Sequence, residues 1–102
     1  MSNYSLVIRD AAQQDAAKIC RWYSNRSSNT EERFRKELLD SFFKIQEFPE
    51  AYFNVNSKSH FRRYLMDIFP YKIFYRIDGN LVIVVAIIHS SRSNRYIKSR
   101  LK

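Results

Sequence analysis

The chain reads as an α+β domain in which an N-terminal strand and an antiparallel helix hairpin pack on an antiparallel β-sheet, with a short C-terminal helix or tail. Three observations carry that expectation. Phe69 to Arg92 (FPYKIFYRIDGNLVIVVAIIHSSR) gathers strand-forming residues on both sides of the only glycine, which is the pattern of a β-hairpin. Residues 11–47 hold two apolar stripes at helical spacing, parted by the polar stretch Asn25–Asn29 (NRSSN). A length of 102 residues suits one domain spanning 1–102, large enough to bury a core.

Tyr4 to Arg9 (YSLVIR) is short and β-prone, and is the expected first strand. Asp10 is placed to cap the helix that follows, and Ala12, Ala16, Ile19, Cys20 and Tyr23 share one stripe of it, with Asp15 near the positive end of the dipole. Trp22 lies off that stripe, at the helix edge or exposed for a partner. The second helix is expected over residues 30–47, where Ser28 and Glu31 have capping-box spacing and Pro49 stops it. Its stripe is Phe34, Leu38, Phe42 and Ile45, widened by Leu39 and Phe43, as if pressed on both its partner helix and the sheet. Glu50 to Ser59 reads as a loop, and His60 to Met66 (HFRRYLM) as a strand beside the hairpin.

The hairpin arms are residues 70–77 and 81–89, joined by a turn at Asp78-Gly79 or Gly79-Asn80, where glycine takes positive φ without steric cost. Tyr71, Ile73, Tyr75 and Ile77 alternate with Lys72, Phe74 and Arg76. The return arm is apolar at every position, as in an inner strand covered on both faces. Regular pairing then puts Val82, Val84, Ala86 and Ile88 with Tyr71 to Ile77, and puts Ile83, Val85, Ile87 and His89 beside Lys72 and Arg76. Ser93 can cap a last short helix through Leu101, carrying the basic residues Arg95, Lys98, Arg100 and Lys102.

Composition excludes several classes. No run approaches the roughly 20 apolar residues of a transmembrane helix, and no basic-then-apolar signal opens the chain, so a cytoplasmic location is expected. The lone Cys20 has no CxxC or Cys/His spacing, which leaves neither a disulfide framework nor a zinc site, and no metal or cofactor is expected. A net charge of +8 points to a polyanionic partner: nucleic acid, a nucleic-acid machine or an acidic peptide. Excess lysine and arginine that only aid solubility would give the same number. Glycine-rich phosphate loops, paired carboxylates and Ser/His/Asp arrangements are all missing, which sets aside kinase, dinucleotide and metallohydrolase chemistry.

The candidate site residues are therefore basic. Lys72 and Arg76 flank Phe74, a set that suits nucleic-acid or peptide recognition, or else a solvated sheet face. Arg62 and Arg63 are consecutive in a strand, so only one can join them. His89, whose imidazole has an ordinary pKa of about 6.5, can serve in proton transfer or can hydrogen-bond backbone to close the sheet. Arg92 can grip phosphate or carboxylate forks, or start a helix on the surface, and Arg95 extends the basic tail.

Element order, FPYKIFYRI and the ending VVAIIHSSR together resemble the ParE/RelE superfamily of bacterial toxins over nearly the whole chain. Phe69-Pro70-Tyr71, Tyr75 and His89-x-x-Arg92 are similar to the ParE-like branch, whose pattern commonly continues to a proline and a tryptophan where this chain has Asn94 and Ile97. The resemblance implies the toxin of a type II toxin-antitoxin (plasmid stabilization) pair, held inactive by a cognate antitoxin in a hetero-oligomer. RelE-like members cut messenger RNA on the ribosome. That likeness would give Lys72, Tyr96 and Arg63 functional positions, and a nuclease set of His89, Arg92, Tyr96 and Lys72, while a last-strand arginine falls on Ser90. ParE-like members bind and poison DNA gyrase, which needs a shaped basic surface and no nucleophile. On that reading no residue is catalytic, and Arg62, Arg63, Lys72, Arg76, Arg92 and Arg95 contact the target or the antitoxin. A harmless basic RNA-binding module is the remaining alternative.

Overall fold

The structure, a computed structural model, describes residues 3–55 and 60–101. Its elements run β1 (Ser5–Ile8), α1 (Asp10–Ser24), α2 (Ser28–Glu47), a single 3-10 turn at Pro49–Ala51, β2 (Phe53–Asn54), β3 (Phe61–Leu65), β4 (Tyr71–Asp78), β5 (Leu81–His89) and α3 (Asn94–Arg100). The strands form one sheet in the order β1-β5-β4-β3-β2. β1 runs parallel to β5, so the sheet is mixed, and the other pairings are antiparallel as expected.

Helix boundaries differ from the expected ones by local chemistry. Asp10 is the first helical residue of α1 and not its cap, a place held by Arg9 without a side-chain bond. Near the dipole's positive end its carboxylate is still favourable. α2 starts earlier than Thr30 because Ser27, not Ser28, turns its hydroxyl to the Thr30 N–H. Phe53–Asn54 forms a two-residue edge strand inside the expected loop, pairing with Arg62 and Arg63 of β3. Residues 56–59 of that loop, and Lys102 of the tail, lie outside the described residues.

The helix hairpin covers one face of the sheet. Phe34, Leu38, Phe42 and Ile45 of α2 and Ala12 and Cys20 of α1 pack against Ile73, Tyr75, Val82, Val84 and Ile87. Buried polar groups on this face are satisfied, as burial demands: the Tyr75 hydroxyl donates to the Pro49 carbonyl at 2.6 Å, and Ser41 to the Glu37 carbonyl at 2.8 Å. Leu39 and Phe43 do not join this core. They are 57% and 69% exposed, because α2 turns only its narrower stripe inward. α3 covers the opposite face, setting Ile97 on Phe74, Ala86 and Ile88. The basic tail is thus a packed helix with one buried side, capped by the Ser93 hydroxyl at the Tyr96 N–H.

Gly79 makes the hairpin turn at φ 59°. Ile73 and Val84 share the helix-covered face, as the alternation requires. The expected register fails beyond them. Phe74 pairs with Ala86 but Tyr75 with Val84, leaving Val85 as the extra residue of a β-bulge. The bulge inverts the parity of the end of β5. Ala86 and Ile88 turn to the α3 face, whereas Ile87 and His89 turn to the face of Ile73 and Tyr71, and His89 does not stand beside Lys72 and Arg76.

Candidate functional site

Two concavities collect the basic side chains, one on each side of the sheet. The first, of about 670 Å³, lies under α3 and over β2, β3 and β4. His60, Arg63, Lys72 and Lys98 line it together with Phe53, Phe61 and Phe74, and none of its lining residues is acidic. Cross-strand pairing explains the grouping: Arg63 stands opposite Phe53 on one side and Phe74 on the other, so the three share a face. α3 contributes Asn94, Ile97 and Lys98, and its C-cap Leu101 continues the same i, i+3, i+4, i+7 face. The Arg63 guanidinium sits 4.3 Å from the Phe53 ring centroid, and its Nε is buried without a hydrogen-bond partner. A buried donor left unpaired is costly, and an anion in the cavity would satisfy it.

The second concavity, of about 590 Å³, lies at the end of β5 on the helix-hairpin side. Lys18, Ile19, Trp22 and Tyr23 of α1 form one wall, and Pro70, Tyr71, His89, Ser91 and Arg92 the other. The His89 ring meets Tyr71 edge to face at 5.2 Å between centroids. Its Nδ1 is engaged by Ser91, 3.1 Å from the backbone N and 2.8 Å from the hydroxyl. The ring thus bonds the backbone of the turn that follows the strand.

The remaining candidates are distributed as follows. Arg62 points to the helix side and donates to the carbonyls of Glu50 and Tyr52, at 3.2 and 2.9 Å, so it pins the 3-10 turn to β3. Arg76 lies on the α3 face, 3.9 Å from Asp78, outside the first cavity. Arg92 lies over the Tyr96 ring at 4.3 Å, and the Tyr96 hydroxyl accepts from Arg100 at 3.2 Å. Arg95 is exposed on α3. Of the set His89, Arg92, Tyr96 and Lys72, His89 and Arg92 share the second cavity and Arg92 stacks on Tyr96, whereas Lys72 stands apart in the first cavity. Burial pushes the Cys20 thiol above its ordinary range, which suits a core residue and not a nucleophile.

A sequence profile described as the ParE toxin of the type II toxin-antitoxin system, parDE, matches residues 6–94. The chain belongs to the ParE toxin family. Membership implies a cognate antitoxin as partner. Among solved structures this ParE-family chain is similar to one of the chromosomal ParDE toxin-antitoxin system of P. aeruginosa, at 14% identity and a TM-score of 0.74, covering 84% of this chain and 95% of that one. It is also similar to a mutant E. coli toxin RelE in the free state, at 17% identity, a TM-score of 0.65 and coverage of 99% and 95%. The isolated E. coli RelE toxin aligns at 21% identity, a TM-score of 0.56 and 94% coverage of each chain. At these identities the likeness is one of fold. No curated protein matches the sequence.

The residues that carry the ParE resemblance divide between core and rim. Phe69 packs its ring on Tyr23 and Phe34, and Tyr75 is fully buried, while Pro70, Tyr71, His89 and Arg92 ring the second cavity. Sequence reasoning missed His60, Lys98 and Lys18 as lining residues. Lys18 and Trp22 stand four apart on α1, a spacing that marks one flank of a helix and was available in the sequence. His60 and Lys98 are joined only by the fold. Among the described residues no helix is long and apolar enough to cross a membrane.

Proposed function

We propose that this ParE-family toxin acts by binding DNA gyrase and blocking its cycle, performs no chemistry of its own, and is neutralised by its antitoxin. The observation that supports this reading is the separation of Lys72 from the rest of the nuclease set. Cleavage of RNA through its 2′-hydroxyl needs a base, an acid and positive charge on one phosphorus centre, and each group must be held within hydrogen-bond reach. Here Lys72 and His89 lie on opposite faces of the sheet, a separation imposed by the Val85 bulge. A protein that works by binding alone has no such requirement and needs only a shaped basic surface.

One observation favours a ribosome-dependent nuclease as a second reading. The cavity under α3 holds His60 with Arg63, Lys72 and Lys98, a set that can receive a phosphodiester. Expressing the toxin alone, then assaying gyrase supercoiling and mapping messenger-RNA 5′ ends in the same cells, separates the two. Inhibited supercoiling with intact transcripts is expected. New ribosome-dependent 5′ ends that vanish in His60→Ala or Lys72→Ala, with supercoiling unaffected, would replace the gyrase reading by the nuclease, and harmless expression would remove both.

A further inference from the structure

The cavity at the end of β5 differs from the one under α3 in what it can hold. Its cations, Lys18 and Arg92, come from opposite walls, no lining residue is acidic, and the nearest carboxylate on α1, Asp15, is committed to the Ile87 N–H at 3.0 Å and to Arg100 at 2.7 Å. His89 adds its Nε2 edge, since its Nδ1 is engaged by Ser91. Trp22, 49% exposed, supplies apolar surface at the mouth. These are the elements of a site for an anionic, partly apolar ligand.

The aromatic rings decide its class. A single-stranded nucleic acid is held by bases stacked on free ring faces. Here one face of Trp22 is covered by the Arg26 guanidinium at 3.4 Å, and Tyr71 is enclosed by Tyr23, Phe34 and His89 at ring separations of 6.5, 5.6 and 5.2 Å. Tyr71 is thereby closed to stacking and Trp22 has one face taken, too little for a run of stacked bases, whereas carboxylates can reach the two cations and an aliphatic side chain can lie on the exposed part of Trp22. We propose that this cavity seats an acidic, apolar-containing segment of the antitoxin, with its carboxylates on Lys18, Arg92 and His89 and an aliphatic side chain against Trp22. The inference rests on the antitoxin being this toxin's partner, and it assigns that partner one of its contacts.

The probe is the small protein encoded by the reading frame beside this toxin's gene, titrated against the purified toxin at low and high salt. Lys18→Glu and Trp22→Ala change exposed side chains, and unchanged thermal midpoints would show that both variants fold. Each should weaken binding by about tenfold or more, and Lys18→Glu should also flatten the salt dependence. Lys36→Glu, on the exposed side of α2, makes the same change in net charge outside the cavity and should weaken binding less than about twofold. Binding as tight in Lys18→Glu and Trp22→Ala as in wild type overturns the proposal, and so does an equal loss in Lys36→Glu, which would mean that only net charge is read. Failure of the wild-type toxin to bind removes the partner itself. The measurement uses neither gyrase nor ribosome, so it stands apart from the choice of target.

Discussion

The two faces of the sheet are built to different standards. Under the helix hairpin, Phe34, Ile45, Ile73, Tyr75, Val82 and Val84 are completely buried and the inward polar atoms have partners. Across the sheet a seven-residue helix is the only helical cover among the described residues, a cavity of about 670 Å³ lies beneath it, and the Arg63 Nε has no partner. One face stores most of the stability and opens only at its margin, in the cavity at the end of β5. The other keeps cations and aromatic rings available at some cost in packing, as surfaces meant for a partner do.

The largest effect expected from breaking that contrast is on the hairpin face. Phe34→Ala removes a fully buried ring that packs on Tyr23, Phe69 and Tyr71, and should cost about 3–5 kcal/mol in denaturant unfolding. A comparable loss from Leu65→Ala on the α3 face would erase the contrast, since Leu65 is exposed and should cost under about 1 kcal/mol.

Alkali tests the same face by titration. Burial raises the hydroxyl pKa of both Tyr71 and Tyr75 well above the ordinary value, with the Tyr23 hydroxyl adding to the shift at Tyr71. A raised folded pKa means that the unfolded chain releases these protons first, so the stabilisation is intact below about pH 10 and is lost as pH climbs towards the folded values. Stability should fall by about 3 kcal/mol for the two rings together by about pH 11. Tyr71→Phe/Tyr75→Phe should start lower and decline less. Equal slopes in the two proteins would refute the assignment.

Glu37 is the next test, because its carboxylate accepts the N–H groups of Asp67, Ile68 and Phe69 at 2.7, 2.9 and 3.0 Å and so holds the approach to Pro70. Glu37→Ala should cost about 2 kcal/mol and speed amide exchange in residues 67–69. Protection unchanged there would show that the loop is held by Phe69 packing alone.

A smaller effect than that of Glu37 is expected at the sheet's edge. Asp15 bonds both the Ile87 N–H and Arg100, joining α1 to α3 around the part of β5 that β1 does not reach. Arg100→Ala should cost about 1 kcal/mol and raise amide exchange in α3 while leaving the hairpin face protected. Loss of protection in both layers at once would mean that the two faces unfold as one unit.

Much of this architecture was legible in the sequence because periodicity reports which side of an element is buried. The Phe34, Leu38, Phe42 and Ile45 stripe, the Gly79 turn and the Tyr71 to Ile77 alternation all depend on neighbours a few residues away. Leu39 and Phe43 misled because composition cannot tell an inward apolar residue from an exposed one. Net charge likewise gives the sign of the surface without saying where a partner binds.

Tertiary structure alone decided where the chemistry sits. Every residue from Leu81 to Ile88 is apolar, so no polar marker in β5 could reveal the bulge at Val85 that carries His89 to the other face. Asp15 and Arg100 are 85 residues apart, and His60, Arg63, Lys72 and Lys98 come from three separate stretches. What the sequence determined by itself is local: propensity, turn chemistry and the sign of the charge. The sharing of a cavity is a property of pairing register and of how layers close over one another, and one extra residue in a strand is enough to reassign it.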